Sequence, residues 1–208
     1  MTSVVSPGGC FIERQLRTIV FIDGQNLYRG AKDAWRPQPA IGPSRYSWPS
    51  YDVQNLATTL TSRVSGRLLS QIRFYTGVPD ANQDIRWHAF WTNKLRHLKN
   101  QGIEVYKGRI NSSGQEKGVD VSIAIDLVCL TYEQQFEVAI IISQDWDFGP
   151  AILLCKNIAN GQQRQLVFES HFPQGPGSQS DRGIPGTIWC PIDQNTYDAC
   201  YDPRDYRL

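Results

Sequence analysis

The sequence predicts an α/β protein of three layers, in which helices cover both faces of a central parallel sheet. Short apolar runs of strand length alternate along the chain with longer segments whose apolar residues recur at helical spacing. The run 138–142 is almost entirely β-branched, as is typical of a strand buried on both faces. The 208 residues can bury a full core, and nothing in the sequence repeats or divides it. We therefore expect one domain.

Periodicity and breaking residues place the individual elements. The first half is predicted to contain a strand at 17–22, a helix at 27–31, a loop at 36–50, a helix at 53–64 and a strand at 68–77. The second half is predicted to contain a helix from Asp84 to Asn100 ended by Gly102, a strand at 103–110, a loop at 111–117, a helix at 119–130, a strand at 138–142, a helix at 150–160, a strand at 166–168, a loop at 173–186 and an edge strand at 187–192.

Composition favours a cytoplasmic protein with no membrane segment. A bilayer span needs about 20 consecutive apolar residues, and no run approaches that length. The five cysteines are odd in number and widely spaced, which favours a reducing compartment over a disulfide scaffold. Cys129 and Cys155 lie in apolar segments and are expected to be buried. Residues 1–16 lack the features of a secretory signal and are interpreted as a leader.

Acidic side chains follow two of the predicted strands. Asp23 comes directly after the strand 17–22, and Asp145 and Asp147 follow the strand 138–142. Because ligands bind at the carboxyl edge of open α/β sheets, these acids are candidates for a site. The alternative is that one Asp caps the following helix and the other is solvated. The stretch alone does not decide between the two.

The helix 119–130 brings further acids. It is apolar almost all round, which predicts a buried helix, yet it carries Asp120 and Asp126. Asp120 in its first turn is expected at the same edge as the other acids, with Asn26 one turn beyond Asp23. Asp126 lies about 120° around the helix and about 9 Å along it, so we expect it to have a separate, structural role. Oxygen ligands with no His or Cys beside them suit Mg²⁺ or Mn²⁺.

Basic side chains are concentrated in one region of a chain whose net charge is only +1. Between Arg86 and Lys117 there are seven Lys or Arg against two acids. Arg109 and Lys117 are expected near the acidic edge, where they could contact phosphates, although such charge is often only a solvated helix face. The stripe of Trp87, Trp91, Leu95 and Leu98 is interpreted as core in preference to a base-stacking platform, and the three histidines show no metal-ligand spacing.

Three motifs resemble the NYN domain family of PIN-like metal-dependent nucleases, which includes the LabA-like proteins. They are Phe21–Tyr28, Lys117–Val121 and Ser143–Phe148, and the resemblance covers 17–170. It implies a PIN-like fold, RNA as the partner, and a catalytic set of Asp23, Asn26, Asp120, Asp145 and Asp147, whose four carboxylates would bind Mg²⁺ or Mn²⁺. Relatives commonly have small residues around the last acidic pair, where this chain has Gln144 and Trp146. Trp146 is expected to contact the substrate, either by stacking on a base or by narrowing the cleft. Residues 171–208 lie outside the resemblance and are expected to form an extension packed on the domain.

The favoured function is that of a metal-dependent endoribonuclease. A non-catalytic RNA-binding or regulatory module of LabA-like type is the first alternative, and the intact acids count against it. A metal-dependent phosphatase is the second, weakened because the first strand lacks the paired Asp-x-Asp of haloacid-dehalogenase-like enzymes. A homodimer is compatible with the sequence, which does not determine the oligomeric state.

Overall fold

A computed structural model describes residues 4–5, 11–12, 15–36, 45–111 and 115–207. Its main sheet consists of β3 (Leu16–Asp23), β4 (Arg67–Val78), β5 (Glu104–Ile110), β6 (Glu116–Lys117), β7 (Val138–Ile142), β8 (Val167–Pro173) and β9 (Ile188–Ile192), and a separate two-stranded sheet pairs β1 (Val4–Val5) with β2 (Phe11–Ile12). The helices are α1 (Gly24–Trp35), α2 (Val53–Ser62), α3 (Ile85–Asn100), α4 (Val119–Tyr132), α5 (Gly149–Gly161) and α6 (Gln194–Ala199), with 3₁₀ turns at Arg45–Ser47 and Trp146–Phe148.

The strand order is β6-β5-β4-β3-β7-β8-β9, and all neighbours are parallel except β5 and β6. From β3 the chain first builds the sheet outward through β4 and β5, and then returns to place β7 on the other side of β3. The strand order therefore reverses between β3 and β7. Such a switch point leaves a crevice at the carboxyl ends of the two strands, where ligands bind in open α/β sheets.

Side chains of the sheet alternate between two cores. On β3, Val20 and Ile22 pack toward α1, α2 and α3, whereas Ile19 and Phe21 pack toward α4 and α5. All five residues of β7 are buried, as predicted from its β-branched run. Helices thus cover both faces of the sheet, which confirms the three-layer α/β/α arrangement expected of a PIN-like fold.

Most predicted elements are confirmed, with shifted ends. The strand predicted at 166–168 continues to Pro173, because residues 169–171 pair with β7 and residues 169–173 pair with β9. The residues 116–117, predicted as loop, form β6 on the outer side of β5. Most of the leader at 1–16, together with 37–44 and 112–114 of the two predicted loops, lies outside the described residues.

The helix α4 was wrongly predicted to be buried all round. Ile123 and Leu127 are fully buried, but Val121 and Ile125 on the opposite side are more than half exposed. Cys129 is also exposed, contrary to prediction, whereas Cys155 is buried as predicted. The reason is that α4 has neighbours on only part of its circumference, since it packs against the sheet and α5. No helix in the described part of the chain is both long and apolar enough to cross a membrane.

A basic residue of the 86–117 region is buried instead of solvated. Lys94 on α3 is 0% exposed, and its Nζ donates to the carbonyls of Pro49 and Tyr51 and lies 3.7 Å from a carboxylate oxygen of Asp202. Burial lowers the pKa of Lys94 to about 8, against the opposing effect of Asp202. Lys94 therefore holds the C-terminal segment against α3 and is not part of a nucleic-acid surface.

A second buried ion pair ties β4 to β8. The Arg67 guanidinium donates to both carboxylate oxygens of Glu169, and His171 Nε2 lies 3.0 Å from the same carboxylate. Because a carboxylate can only accept, Nε2 carries the proton. Burial raises the pKa of Glu169, but the hydrogen bonds from His171 and Arg67 outweigh it and lower that pKa to about 2.

We expect Glu169→Gln to reduce the free energy of unfolding at pH 7 by about 3 kcal/mol, since it leaves the Arg67 charge buried and unpaired. The folded-state pKa of Glu169 lies below its usual 4.5, so its stabilisation is complete above pH 4.5 and is lost as the pH falls toward 2. Urea unfolding followed by circular dichroism across this range measures the difference. Glu133→Gln, at an exposed glutamate, is the control. Equal pH dependence of the wild type and Glu169→Gln would contradict the assignment.

Candidate functional site

A cavity of about 540 Å³ lies at the switch point between β3 and β7. Asp23 ends β3, and Asp145 follows β7 by three residues; the pairing of Ile22 with Ile142 brings these two strand ends side by side. The cavity is lined by the acids Asp23, Asp33, Glu116, Asp120 and Asp145, the bases Arg29 and Lys117, and the neutral residues Gln25, Asn26, Gly30, Gln115, Gln144, Pro173, Ser178, Gln179 and Ser180.

Glycine at position 24 lets α1 start immediately after Asp23. A Cβ atom on Gly24 would lie 2.6 Å from the Phe74 ring and 3.1 Å from the Tyr75 carbonyl oxygen, both on β4. Contacts this short are not tolerated, so the first turn of α1 can approach the sheet only without a side chain. The Asp-Gly sequence after β3 is therefore explained by packing at the edge of the cavity.

Asp23 is held by hydrogen bonds from two directions. Its Oδ1 accepts from the backbone N–H of Asn26 at 2.9 Å, so it caps α1, and its Oδ2 accepts from the Ser143 hydroxyl at 3.4 Å. Asn26 Oδ1 in turn accepts from the backbone N–H of Gln144 at 3.1 Å. These contacts join the ends of β3 and β7 and fix the Asp23 carboxylate, which is only 4% exposed.

Asp145 and Asp147 have different environments. The Asp145 carboxylate lines the cavity and caps the following 3₁₀ turn by accepting from the Asp147 N–H at 2.9 Å. The capping alternative considered from the sequence is realised only in part, since Asp145 caps this turn and not α5, whose N-cap is Phe148; the cap does not exclude a place in the site. Asp147 is exposed and does not line the cavity, although its charge acts on Asp120. Its role as a ligand stays a prediction.

Glu116 is an acid of the site that sequence reasoning missed. It lies on β6, lines the cavity, and accepts a hydrogen bond from the backbone N–H of Gly77 on β4. A Cβ atom on Gly77 would lie 2.7 Å from this carboxylate, so a side chain at that position would require Glu116 to move. The available signal was its position directly before Lys117, but a two-residue strand has no detectable periodicity.

The pKa values show that the acids are crowded. Burial, followed by the charges of Asp120 and Asp145, raises the pKa of Asp23 to about 7 despite its hydrogen bonds. Burial and the charges of Asp23 and Asp120 raise the pKa of Glu116 to about 8, with Arg29 opposing. The pKa of Asp120 is raised by burial and by Asp145 and Asp147. Carboxylates gathered in this way favour protonation or a bound cation.

The donor set suits a hard divalent cation. Every acidic residue that lines the cavity offers carboxylate oxygens, and Asn26 and Gln144 add amide groups, whereas no Cys or His in the described part of the chain lines it. Oxygen donors of this kind are typical of Mg²⁺ and Mn²⁺ sites and not of zinc sites. The residues present therefore fit the cofactor expected from the sequence.

The predicted substrate-binding residues differ in whether they line the cavity. Lys117 lines it, and Arg109 is its cross-strand partner between β5 and β6. Both are exposed, but Arg109 does not line the cavity. Trp146 is 52% exposed in the turn between Asp145 and Asp147 and does not line it either. Arg29 on α1, which was not singled out from the sequence, does line it.

Asp126 is paired away from the cavity. Its Oδ2 accepts from the Arg73 guanidinium at 2.7 Å and from the Tyr75 hydroxyl at 2.6 Å. Asp126 is therefore held by an ion pair and a hydrogen bond, in agreement with the separate, structural role expected from the sequence. Asp120 and Asp126 lie on the same helix, and only Asp120 lines the cavity.

A second group with metal-ligand atoms lies elsewhere on the sheet. Ligand atoms of Glu169, His171 and Cys190 all lie within 4.8 Å of one another, although the sequence spacing of the histidines did not indicate such a group. Both Glu169 oxygens already accept from Arg67, so the carboxylate is neutralised without a cation. None of the three residues lines the acidic cavity.

Comparison with known proteins supports the motifs read from the sequence. The family model of the NYN domain matches residues 17–164. No curated protein matches the chain. A solved structure of a protein of unknown function from Vibrio parahaemolyticus RIMD 2210633 is similar, with a TM-score of 0.55 and 16% identity over 88% of this chain and 96% of that one. At that identity the likeness shows the fold alone.

Opposite changes in thermal stability are expected from the same substitution at two positions of α4. Without divalent cations, Asp120→Asn should raise the melting temperature by about 1–3 °C, because it removes a charge repelled by Asp145 and Asp147. Asp126→Asn should lower it by about 2–4 °C, because it weakens the ion pair with Arg73. Differential scanning calorimetry in EDTA measures both. A loss of stability in Asp120→Asn as large as that in Asp126→Asn would show that the cavity acids are not in repulsion.

Proposed function

The chain belongs to the NYN domain family, and from this membership and the site we propose that it is a metal-dependent endoribonuclease. Family membership implies a PIN-like nuclease. The observation that carries the proposal is the convergence of Asp23, Glu116, Asp120 and Asp145 on one cavity at the switch point of the sheet. Carboxylates so arranged are what hydrolysis of a phosphodiester through bound cations requires.

Asp23, Asp120 and Asp145 would hold Mg²⁺ or Mn²⁺, with Asp147 as a direct or water-mediated ligand and Glu116 as an additional carboxylate. When bound, such an ion stabilises charge on the phosphoryl oxygens and makes a water nucleophilic at neutral pH. The raised pKa values of Asp23 and Glu116 support this assignment, since a cation relieves the repulsion that raises them.

The chain's own residues prepare the site for the substrate. Ser143 and the Asn26 N–H orient the two oxygens of Asp23, and Asn26 is itself oriented by Gln144. Arg29 and Lys117 supply positive charge in the same cavity for the phosphate. The proposed reaction is in-line attack of water on phosphorus with cleavage of the P–O3′ bond. The products are a 5′-phosphate and a 3′-hydroxyl, whose oxygen takes up a proton.

Asp23→Asn and Asp145→Asn should each reduce cleavage of labelled RNA in Mn²⁺ or Mg²⁺ by about a hundredfold or more while the fold is kept. Asp126→Asn is the matched control and should retain most of the activity, because its carboxylate is bound to Arg73. Single-stranded DNA and a chromogenic phosphate ester are assayed in parallel. Binding of RNA without cleavage would favour the regulatory module, and hydrolysis of the ester alone would favour a phosphatase.

The contribution of Arg109 and Lys117 to RNA binding is measured through its salt dependence. A phosphate contact releases condensed counterions, so Arg109→Ala and Lys117→Ala should each weaken binding and lower the salt slope by about 0.7. Binding is measured in Ca²⁺ or in the Asp145→Asn background, where hydrolysis does not interfere. Lys99→Ala on α3 is the control, because Lys99 is exposed whereas Lys94 is buried and structural. An unchanged salt slope with altered metal affinity in Lys117→Ala would assign Lys117 to the acids alone.

A further inference from the structure

A second cavity, of about 680 Å³, adjoins the acidic one across α1. Gln25 and Arg29 of α1 line both cavities, so these two residues form a ridge between them. The second cavity contains aromatic rings, two bases and several amides; its lining residues are Gln25, Tyr28, Arg29, Lys32, Pro79, Gln83, Asp84, Trp87, Trp91, Ile110 and Asn111.

The residues of α1 that line this cavity follow helical spacing. Positions 25, 28, 29 and 32 correspond to i, i+3, i+4 and i+7, so they form one face of the helix. The acidic cavity takes the adjacent face through positions 25, 26, 29, 30 and 33. Positions 25 and 29 are common to both sets, and Arg29 is exposed, so its charge can act on a chain that runs from one cavity to the other.

Aromatic surface forms the opposite wall. Trp87 is half-buried, unlike Trp91, which is 2% exposed and belongs to the core as predicted from the sequence. The ring centroids of Tyr28 and Trp87 lie 6.3 Å apart with the planes inclined by 52°, so the two rings do not stack on each other. Packing of Trp48 against Trp87, with centroids 5.0 Å apart, holds the indole in place. Trp87 thus presents a preorganised apolar surface to the cavity.

The side chains that α1 presents to the second cavity carry positive charge. Arg29 and Lys32 line the cavity from α1, and neither forms a salt bridge with a residue in the described ranges. Asp84, the one acid among the described residues of the lining, is engaged as the N-cap of α3 and accepts from the backbone N–H groups of Arg86 and Trp87. Two cations are therefore available to an anionic ligand.

We propose that this second cavity binds a base of single-stranded RNA next to the phosphodiester held in the acidic cavity. The base packs on Trp87 and Tyr28, and the adjoining phosphates contact Arg29 and Lys32. Aromatic stacking together with basic side chains along the backbone is how single-stranded nucleic acid is bound without sequence preference. The proposal rests on the proposed ribonuclease function, to which it adds the single-stranded form of the substrate and the position of a flanking nucleotide.

An apolar ligand would use the aromatic wall alone and leave the two cations and the contact with the acidic cavity unexplained. A base attached to a phosphate uses all three features. Gln25 and Gln83 add amide groups that can form hydrogen bonds with base edges without requiring one base. The geometry therefore favours a nucleotide over an apolar peptide or a lipid.

The test compares two oligonucleotides of the same length, an oligoribonucleotide with bases and one whose residues are abasic. Binding is measured by fluorescence anisotropy in the full-length Asp145→Asn protein with Ca²⁺. Trp87→Leu should weaken binding of the base-containing oligonucleotide on the order of tenfold and leave binding of the abasic one within about twofold. Trp189→Leu, which removes an exposed indole on β9, should change neither.

Lys32→Ala is the second variant, because it does not disturb the aromatic packing. It should weaken binding of both oligonucleotides and lower the salt slope by about 0.7. Equal binding of the base-containing oligonucleotide by the parent and Trp87→Leu, with folding verified by circular dichroism, overturns the proposal. So does an unchanged salt slope in Lys32→Ala. Equal loss for both oligonucleotides in Trp87→Leu also counts against base stacking.

Cleavage by the protein with Asp145 intact separates this proposal from the ribonuclease function. If the wild type cleaves RNA in Mn²⁺ while Trp87→Leu binds RNA as tightly as the parent does, the proposed base-binding site is wrong and the proposed ribonuclease function is supported. If Trp87→Leu selectively loses base-dependent binding while the wild type does not cleave, the base-binding site is supported and the catalytic function is wrong.

Discussion

Parallel pairing of β3 with β7 is the constraint on which the rest of the structure depends. It places the ends of two strands that are far apart in the sequence side by side, and each end carries an aspartate. Because both strands are buried on both faces, their ends cannot move apart without exposing apolar side chains of the two cores. Hydrophobic burial thus holds together carboxylates that repel one another.

Carboxylates in this protein are accommodated in two contrasting ways. Glu169 and Asp126 are partly or fully removed from water, and each is bound to an arginine. Asp23 is buried and Glu116 half-buried, and the charges of other acids raise their pKa values toward neutrality. The first arrangement stabilises the fold, and the second stores repulsion that a cation can relieve. The partner of the carboxylate, an arginine in one arrangement and other acids in the other, therefore separates these structural acids from the candidate ligands.

Sequence alone predicted the parts of the fold that have strong periodicity. The strand at 138–142 and the long helix before Gly102 were placed correctly because apolar residues and capping residues mark them clearly. Three of the acids that line the cavity, Asp23, Asp120 and Asp145, were predicted because two strand ends and the first turn of a helix bring them to one edge. Glu116 was missed because its position depends on a two-residue pairing, and the burial of Lys94 was not predicted because it requires partners distant in sequence.

The two cavities share α1 as a wall, so the rotation of this helix about its axis determines which side chains line each of them. One added residue in the first turn would rotate everything after it by about 100°. Arg29 would then no longer lie between the two cavities, and the side chains of α1 that now line the acidic cavity would face neither one. A change in the length of α1 would therefore disturb both cavities at once, and related chains should keep a fixed number of residues from the aspartate that ends β3 to the last cavity-lining position of this helix.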